Sequence, residues 1–308
     1  MSRLPIIFDC DPGGDDAVML LMAMASDALD ILGITTIAGN VDVGNVTNNA
    51  LRLVELARRE DIHVYEGCPR PILKPPLYAT DIHGESGLEG SNMPPPRGRA
   101  HSKHAVNFIV DTLLSSEKKV TLSLSGPMTN LAVALIKTPS ITDRIQEVVC
   151  MGGSTDKGNI TPFAEFNFFV DPHAAHIVLS SDIPVRMIGL NVTHEVYLSD
   201  EHFRRLESMD TDVARELSSI LRFGEESYRE LGFDGRVIHD ACIVAAILRP
   251  QYFEFVPRKV IIEHRHDVRI GQSLVEECQH GEYSHIQVAV GVDRKAVLAF
   301  VLEIIRSY

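Results

Sequence analysis

The first sixteen residues of the chain constrain its fold more than any other stretch. Residues 6–8 form a short apolar run that is typical of a buried strand, and the Pro-Gly-Gly at 12–14 predicts a turn. From Asp15 onward the apolar residues recur at helical spacing. The segment therefore predicts a buried strand, a tight turn and a helix in immediate succession.

Four carboxylates, those of Asp9, Asp11, Asp15 and Asp16, fall within this one strand-to-helix elbow. Like charges at such close range raise one another's pKa or recruit a cation. A helix N-terminus favours one or two carboxylates, but not four. In one interpretation Asp15 caps the helix and the other three are first-turn or solvated residues. We favour the alternative, a hard cation bound by oxygen ligands at the mouth of a parallel sheet.

Strand-like and helix-like segments alternate along most of the remaining sequence. Glycine-rich or polar loops follow nearly every predicted strand, as expected when the carboxyl ends of the strands face one crevice. We therefore predict an open, mostly parallel, doubly wound α/β sheet of the Rossmann-like kind, with residues 1–308 in a single domain. The main predicted strands are 6–8, 31–38, 64–65, 120–125, 148–151 and 185–188, and the main predicted helices are 45–59, 104–114, 172–180, 199–207, 213–228, 240–248 and 294–307.

Two segments outside this alternation carry further polar residues. Residues 66–103 are rich in proline and lack periodicity, and a loop of this length usually forms a lid or a binding loop. His83 lies within it, although an isolated histidine in such a loop is more often a surface residue. His239 and Asp240 precede a predicted helix, where an aspartate is more often an N-cap than a ligand.

Composition and charge exclude several classes of partner. The chain has 308 residues, of which 45% are hydrophobic and 23% charged, and its net charge of −13 disfavours a nucleic-acid polymer or an anionic membrane. The five cysteines form no CxxC pair, so we expect reduced thiols and a cytoplasmic location. No signal peptide is apparent at the N-terminus, and the apolar runs are too short to span a bilayer.

Six motifs together resemble the inosine-uridine nucleoside hydrolases, and they occur in that family's order over nearly the whole chain. The resemblance implies a calcium-dependent enzyme that hydrolyses the N-glycosidic bond of ribonucleosides to free base and ribose. It also implies nucleoside catabolism or salvage and a homo-oligomer, either a tetramer or a dimer. The motifs are residues 9–17, 83–85, 126–130, 151–153, 164–167 and 239–240.

The same resemblance implies a set of metal ligands. Asp11, Asp16 and Asp240 would supply carboxylates and Ser125 a backbone carbonyl, while water and ribose hydroxyls would complete the 6–8 oxygen ligands of Ca²⁺. A cation lowers the pKa of its water, and a neighbouring carboxylate can accept the proton. We therefore predict that Asp11 is the general base.

Substrate contacts are also implied by the resemblance. Asp15 and Asn40 would bind the 2′ and 3′ hydroxyls of the ribose, and His239 would protonate or hydrogen-bond the leaving base. The segment 223–231 contains Tyr228 as its only tyrosine, and this scarcity of aromatic residues predicts a preference for pyrimidine nucleosides. The further predicted contacts are His83, Met151, Asn159, Glu165, Phe166, Asn167 and Tyr228.

Two alternatives remain at the level of sequence. A haloacid-dehalogenase-like phosphatase also begins with a strand and Asp-x-Asp; it would use Asp9 as nucleophile and require a downstream lysine that is not evident here. A non-catalytic protein that binds ribose or a nucleoside could keep the same site. The presence of both Asp11 and His239 favours an enzyme.

Overall fold

A computed structural model describes residues 3–265, 267–279 and 282–308, and a long β-sheet organises them. Within these residues nine strands form one sheet in the order β10-β9-β11-β6-β5-β4-β1-β2-β3, and β7 and β8 form a separate two-stranded sheet. The strands are β1 Leu4–Cys10, β2 Leu29–Thr36, β3 Val64–Glu66, β4 Val120–Leu124, β5 Ile145–Met151, β6 Val185–Ile188, β7 Tyr197–Leu198, β8 Arg236–Val237, β9 Phe253–Ile262, β10 Ser273–Glu277 and β11 Ile286–Val292.

The centre of the large sheet is parallel. All pairings from β11 through β6, β5, β4, β1 and β2 to β3 are parallel, whereas β9 pairs antiparallel with both β11 and β10. The predicted mostly parallel sheet is therefore confirmed. Since parallel strands are joined by crossovers, their carboxyl ends meet at one edge, where polar loops can converge.

Helices cover both faces of the sheet. One core contains the buried side of α1, α2, α10, α12 and α13, and the other contains that of α4, α5 and α7. This two-sided covering confirms the predicted doubly wound architecture. The helices are α1 Gly14–Met24, α2 Val43–Leu56, α3 Thr80–His83, α4 Ala105–Ser115, α5 Thr129–Lys137, α6 Phe166–Val170, α7 Pro172–Leu179, α8 Leu190–Thr193, α9 Asp200–Glu207, α10 Asp212–Phe223, α11 Glu225–Glu230, α12 Ala241–Leu248 and α13 Arg294–Ile305.

The segment predicted as one helix over 213–228 is two helices. Gly224 ends α10 and precedes α11, which extends to Glu230. The helical spacing of apolar residues continues across Gly224, so the sequence pattern did not reveal the break between the two helices. The break changes the direction of the chain and places α11 beside the cavity described below.

The long segment 66–103 is docked on the body of the protein rather than free. It contains the short helix α3, and it is held by hydrogen bonds such as that from Ile72 N to Asp171 Oδ2 and that from Arg52 Nη2 to the Met93 carbonyl. All five cysteines are free thiols. Within the described residues, every helix is too short or too polar to cross a lipid bilayer.

Candidate active site

A cavity of about 580 Å³ opens at the carboxyl edge of the parallel strands. Asn40, Ser125 and Met151 stand at or just beyond the ends of β2, β4 and β5, as parallel topology requires. Asp11 and Asp16 do not line the cavity wall and lie buried beside it, with 1% and 0% of their surfaces exposed. The predicted site residues that line the wall are Asp15, Asn40, His83, Ser125, Met151, Asn159, Glu165, Phe166, Asn167, Tyr228, His239 and Asp240.

Three buried carboxylates form a cluster at this cavity, two of them in its wall. Oxygen atoms of Asp15, Asp16 and Asp240 lie within 4.8 Å of one another, which is close enough to share one metal ion. Gly13, not Asp15, occupies the N-cap position of α1, so the capping interpretation of Asp15 is wrong. Asp240 stands at the N-cap position of α12, but its side chain makes no capping hydrogen bond. Both carboxylates are therefore available for a ligand.

Asp16 combines a structural contact with membership of the cluster. Its Oδ2 accepts a hydrogen bond from Gly13 N at 3.0 Å, and its Oδ1 accepts one from the Ser125 hydroxyl at 2.7 Å. Asn40 Nδ2 also donates to Asp16 Oδ2 at 3.2 Å. These bonds fix the carboxylate at the start of α1.

The carboxylate of Asp11 gives the clearest indication of a metal-binding position. Its Oδ2 accepts from Asn40 N at 2.7 Å, whereas its buried Oδ1 has no hydrogen-bond partner among the described residues. An unsatisfied buried carboxylate oxygen is costly, and a hard cation prefers oxygen donors of this kind. The residues present therefore fit a divalent metal ion, with Asp11 beside the three clustered carboxylates.

The ionisation of the cluster reflects this need for a cation. Burial, with the nearby charge of Asp16, raises the pKa of Asp11 well above its usual range. Burial and the charge of Asp15 raise the pKa of Asp16 to about 7. Burial and the charges of Asp15 and Asp16 raise the pKa of Asp240. Burial and mutual repulsion thus favour the protonated forms of these groups, whereas a cation would favour the ionised forms.

The side of the cavity nearest the strand ends carries hydrogen-bonding groups fixed by the backbone. Asn167 Nδ2 donates to the Ser125 carbonyl at 2.7 Å and so orients that oxygen. Glu165 caps α6 and accepts from Gly153 N, and burial raises its pKa to about 7. The side-chain Nδ2 of Asn40 donates to the Asp11 backbone carbonyl and to Asp16 Oδ2, which leaves the side-chain Oδ1 for a ligand.

Two neutral histidines occupy the opposite side. His83 Nδ1 accepts a hydrogen bond from Gly14 N at 3.1 Å, so its Nε2 carries the proton and is a donor. Burial lowers the pKa of His83 to about 4 and that of His239 to about 3. The Nδ1 of His239 pairs with the Thr193 hydroxyl at 2.8 Å, and its Nε2 pairs with the Tyr228 hydroxyl at 3.0 Å. Both ring nitrogens of His239 are thus engaged by protein hydroxyls.

Aromatic rings are more abundant here than the sequence indicated. Phe233 and His194 line the cavity with Tyr228, and the ring centroids of His194 and Phe233 are 4.8 Å apart. The prediction that aromatic partners would be scarce is therefore wrong. His194 caps the end of the short helix α8 and Phe233 lies between α11 and β8, and neither is in a motif that would have marked it. Asn191, another wall residue, had a usable signal, since it lies in α8 shortly after the end of β6.

Asp9 has a structural role at the end of β1. It is 2% exposed, does not line the cavity, and accepts hydrogen bonds from Thr35 Oγ1 at 2.6 Å and Asn130 Nδ2 at 2.8 Å. Burial raises its pKa to about 6. A nucleophile must reach the substrate, so the phosphatase interpretation finds no support in this geometry.

An open parallel sheet with a cavity and a buried carboxylate cluster at its carboxyl edge defines an α/β protein with a site that could hold a metal ion. A family model described as "Inosine-uridine preferring nucleoside hydrolase" matches residues 6–299. The chain is 38% identical over 311 residues to the pyrimidine-specific ribonucleoside hydrolase RihA of Shewanella sp. strain MR-4, covering 100% of this chain and 98% of the relative. It is 43% identical over 282 residues to an uncharacterized protein of Schizosaccharomyces pombe, covering 90% and 91% of the two chains.

Among solved structures, a purine-preferring ribonucleoside hydrolase from Gardnerella vaginalis superposes with a TM-score of 0.92 at 30% identity, over 98% of both chains. The chain therefore belongs to the inosine-uridine preferring nucleoside hydrolases, a metal-dependent family of ribonucleoside hydrolases. The resemblance found in its motifs is confirmed.

Proposed function

We propose that the chain hydrolyses the N-glycosidic bond of pyrimidine ribonucleosides and uses Ca²⁺ to do so. The observation that supports this most is the buried carboxylate cluster, with the unpaired Oδ1 of Asp11, beside a cavity of about 580 Å³. The preference for pyrimidines rests on the relatives named pyrimidine-specific, since the aromatic wall gives it no support. A cytoplasmic homo-oligomer remains our expectation.

Asp11, Asp16, Asp240 and the Ser125 carbonyl would hold the cation, and Asp15 belongs to the same cluster of oxygens. When bound, the cation would offset the carboxylate charges and polarise a water molecule. Asp11 would accept the proton of the attacking water as it adds to C1′ of the ribose. The electron pair of the breaking C1′–N bond would leave with the base.

Departure of the base would be assisted by neutral donors. His239 is uncharged at neutral pH, so it would supply a hydrogen bond rather than an imidazolium proton. The hydroxyl of Tyr228 lies on its Nε2, and this hydroxyl would carry the interaction to the base. His83 Nε2 is a second donor on the same side of the cavity. Carbonyl oxygens of a pyrimidine suit such donors.

The direct test measures free ribose from a panel of ribonucleosides incubated with the Ca²⁺-loaded protein. We expect release from uridine and cytidine to exceed release from inosine and adenosine. Equal or greater turnover of the purine nucleosides would overturn the pyrimidine assignment. A protein that binds uridine but releases no ribose would instead be the non-catalytic alternative.

We expect 2′-deoxyuridine to be a poor substrate. Asp15 and Asn40 are assigned to the ribose diol, and a buried polar group left unpaired costs about 1–3 kcal/mol, or roughly ten- to a hundredfold in rate. The measurement is kcat/KM for uridine against 2′-deoxyuridine under the same conditions. The resemblance places Asn159, Glu165 and Asn167 nearer the 5′ side of the ribose. Turnover of the 5′-deoxy analogue tests that assignment in parallel. Equal turnover of uridine and 2′-deoxyuridine would refute the diol assignment.

We expect His239→Ala to lower kcat by roughly ten- to a hundredfold for inosine, the scale of a lost buried hydrogen bond, and by less for uridine. A departing purine needs a donor at its imidazole nitrogen, whereas a pyrimidine can use several hydrogen bonds to its carbonyl oxygens. The readout is the mutant-to-wild-type ratio of kcat for each nucleoside, with chemistry rate-limiting. His202→Ala, at an N-terminal position of α9 outside the cavity, is the matched control. An unchanged kcat for both substrates would remove His239 from the mechanism.

A further inference from the structure

A buried guanidinium lies behind the base side of the cavity. Arg236, in β8, is 1% exposed, and its Nε and Nη1 have no hydrogen-bond partner among the described residues. None of the ion pairs found in the described part of the chain includes it. Burying an unpaired charge is costly, so this side chain must gain from some other contact.

That contact is the ring of Tyr228. The guanidinium carbon of Arg236 lies 4.5 Å from the ring centroid, within the range of a cation–π interaction, which is stronger away from water. The hydroxyl of the same ring lies 3.0 Å from His239 Nε2. A guanidinium fixed on the ring face therefore fixes the position of the hydroxyl at its edge.

Two glycines leave the space that the guanidinium fills. A Cβ atom at Gly224 would lie 2.6 Å from Arg236 Nη1, and one at Gly14 would lie 3.0 Å from Nη2. Gly224 is also the residue at which α10 ends and α11 begins. Arg236 thus fits between the first turn of α1 and the start of the helix that carries Tyr228.

The charge of Arg236 also acts on the groups of the base side. Burial raises the pKa of Tyr228, and the positive charge of Arg236 opposes that rise. A nearby cation makes the tyrosine O–H a better donor at the moment when negative charge develops on a leaving base.

We propose that Arg236 is a positioning residue for base departure, which it assists by holding the Tyr228 hydroxyl at His239 and strengthening it as a hydrogen-bond donor. This inference rests on the proposed function and on the contact of Arg236 with the Tyr228 ring. Arg236 itself does not line the cavity. We place its effect on the reaction in its contact with the Tyr228 ring, and the dependence on Tyr228 can be measured.

The test is a double-mutant cycle with Arg236→Met and Tyr228→Phe, assayed on uridine with the Ca²⁺-loaded protein. Methionine keeps the length of the side chain without the charge, and removing an unpaired buried charge should not lower Tm. We expect Arg236→Met to reduce kcat by roughly ten- to thirtyfold, the scale of a desolvated cation–π contact, with KM little changed. In the Tyr228→Phe background the same change should reduce kcat no further.

Arg294→Met is the matched control, because the Arg294 guanidinium lies 3.5 Å from the ring centroid of Tyr197, outside the cavity. We expect it to leave kcat and KM unchanged. Additive losses in the cycle would show that Arg236 does not act through the tyrosine hydroxyl and would overturn the inference. So would an Arg236→Met variant with wild-type kcat.

Gly224→Ala gives a second perturbation that leaves Arg236 in place, in case Arg236→Met does not fold. The backbone φ of Gly224 is −88°, which alanine adopts readily, but its Cβ would displace the guanidinium and would also lie 2.9 Å from the Ile82 carbonyl, so the comparison with the Tyr228→Phe background decides which contact matters. We expect kcat to fall in the wild-type background and not in the Tyr228→Phe background. A Gly224→Ala variant with wild-type kcat would overturn the inference. A wild type that releases ribose from no nucleoside would instead overturn the proposed function, and this inference with it.

Discussion

Asp11→Asn is expected to disable the hydrolysis of every nucleoside, purine or pyrimidine. Asparagine keeps the shape of the side chain but cannot accept the proton of the attacking water, and general base catalysis contributes roughly 10²–10⁴-fold. The need to activate water does not depend on which base leaves, so uridine and inosine should lose kcat by similar factors. The measurement is single-turnover ribose release with each substrate.

Asp9→Asn is the matched control for this experiment. Asp9 lies two residues away in the same elbow and is similarly buried, but its carboxylate bonds to Thr35 and Asn130 rather than facing the cluster. We expect Asp9→Asn to affect stability more than kcat. If Asp11→Asn retained more than a small fraction of wild-type kcat while Asp9→Asn lost it, the two aspartates would have to exchange roles.

Removal of the metal is expected to abolish turnover completely. Protein purified without added metal should contain about one calcium per chain, as a single site of this type implies. Asp240→Ala should lose both the metal and the activity, because it deletes one of the three clustered carboxylates. Asp42→Ala removes the capping aspartate of α2, which is outside the cavity, and should keep both. A metal-free protein with full hydrolase activity would contradict the proposal.

The stability of the metal-free protein should depend on pH in a direction set by the raised pKa values. Burial and the charge of Asp15 raise the pKa of Asp16 from its ordinary value of 3.8 to about 7, so between these pH values the folded chain holds a proton that the unfolded chain releases. Its contribution to stability is present below about pH 4 and is lost as pH rises through 7. The loss is on the order of a few kcal/mol.

A bound cation should reverse this loss, since it favours the ionised carboxylates. We therefore expect the difference in Tm between the Ca²⁺-loaded and chelator-treated protein to be larger at pH 8 than at pH 5.5. Thermal unfolding at the two pH values measures it directly. A difference in Tm that does not change with pH would show that the cluster does not bind the metal as carboxylates.

Much of the site could be predicted from the sequence because its residues follow strand ends. Asp11, Asn40 and Ser125 come directly after apolar runs, and parallel topology brings the ends of such runs together. Asp240 was predicted only through a motif, and the structure brings it to Asp15 and Asp16 across more than two hundred residues. The assignment of Asp11, rather than Asp15, as a metal ligand remains a prediction.

On the base side of the cavity, His83, Tyr228 and His239 were predicted through the resemblance, but Phe233 was not, because no regular pattern marks it. Phe233 lies in an irregular segment, and the break at Gly224 interrupts a helical periodicity that continues on both sides. Arg236 was missed for a physical reason. Arginine is almost never fully buried without an ionic partner, so sequence analysis places an arginine at the surface, whereas Arg236 is 1% exposed.

Two kinds of structural element thus form the wall of the cavity. Asn40, Ser125 and Met151 lie at the rigid end of the central sheet, whereas His83, Tyr228 and Phe233 come from short segments that contribute no strand to that sheet. We therefore expect that residues 225–235 could be exchanged for the corresponding segment of a purine-preferring relative without disturbing the proposed metal ligands or diol contacts. If so, base preference and water activation could be changed independently of each other.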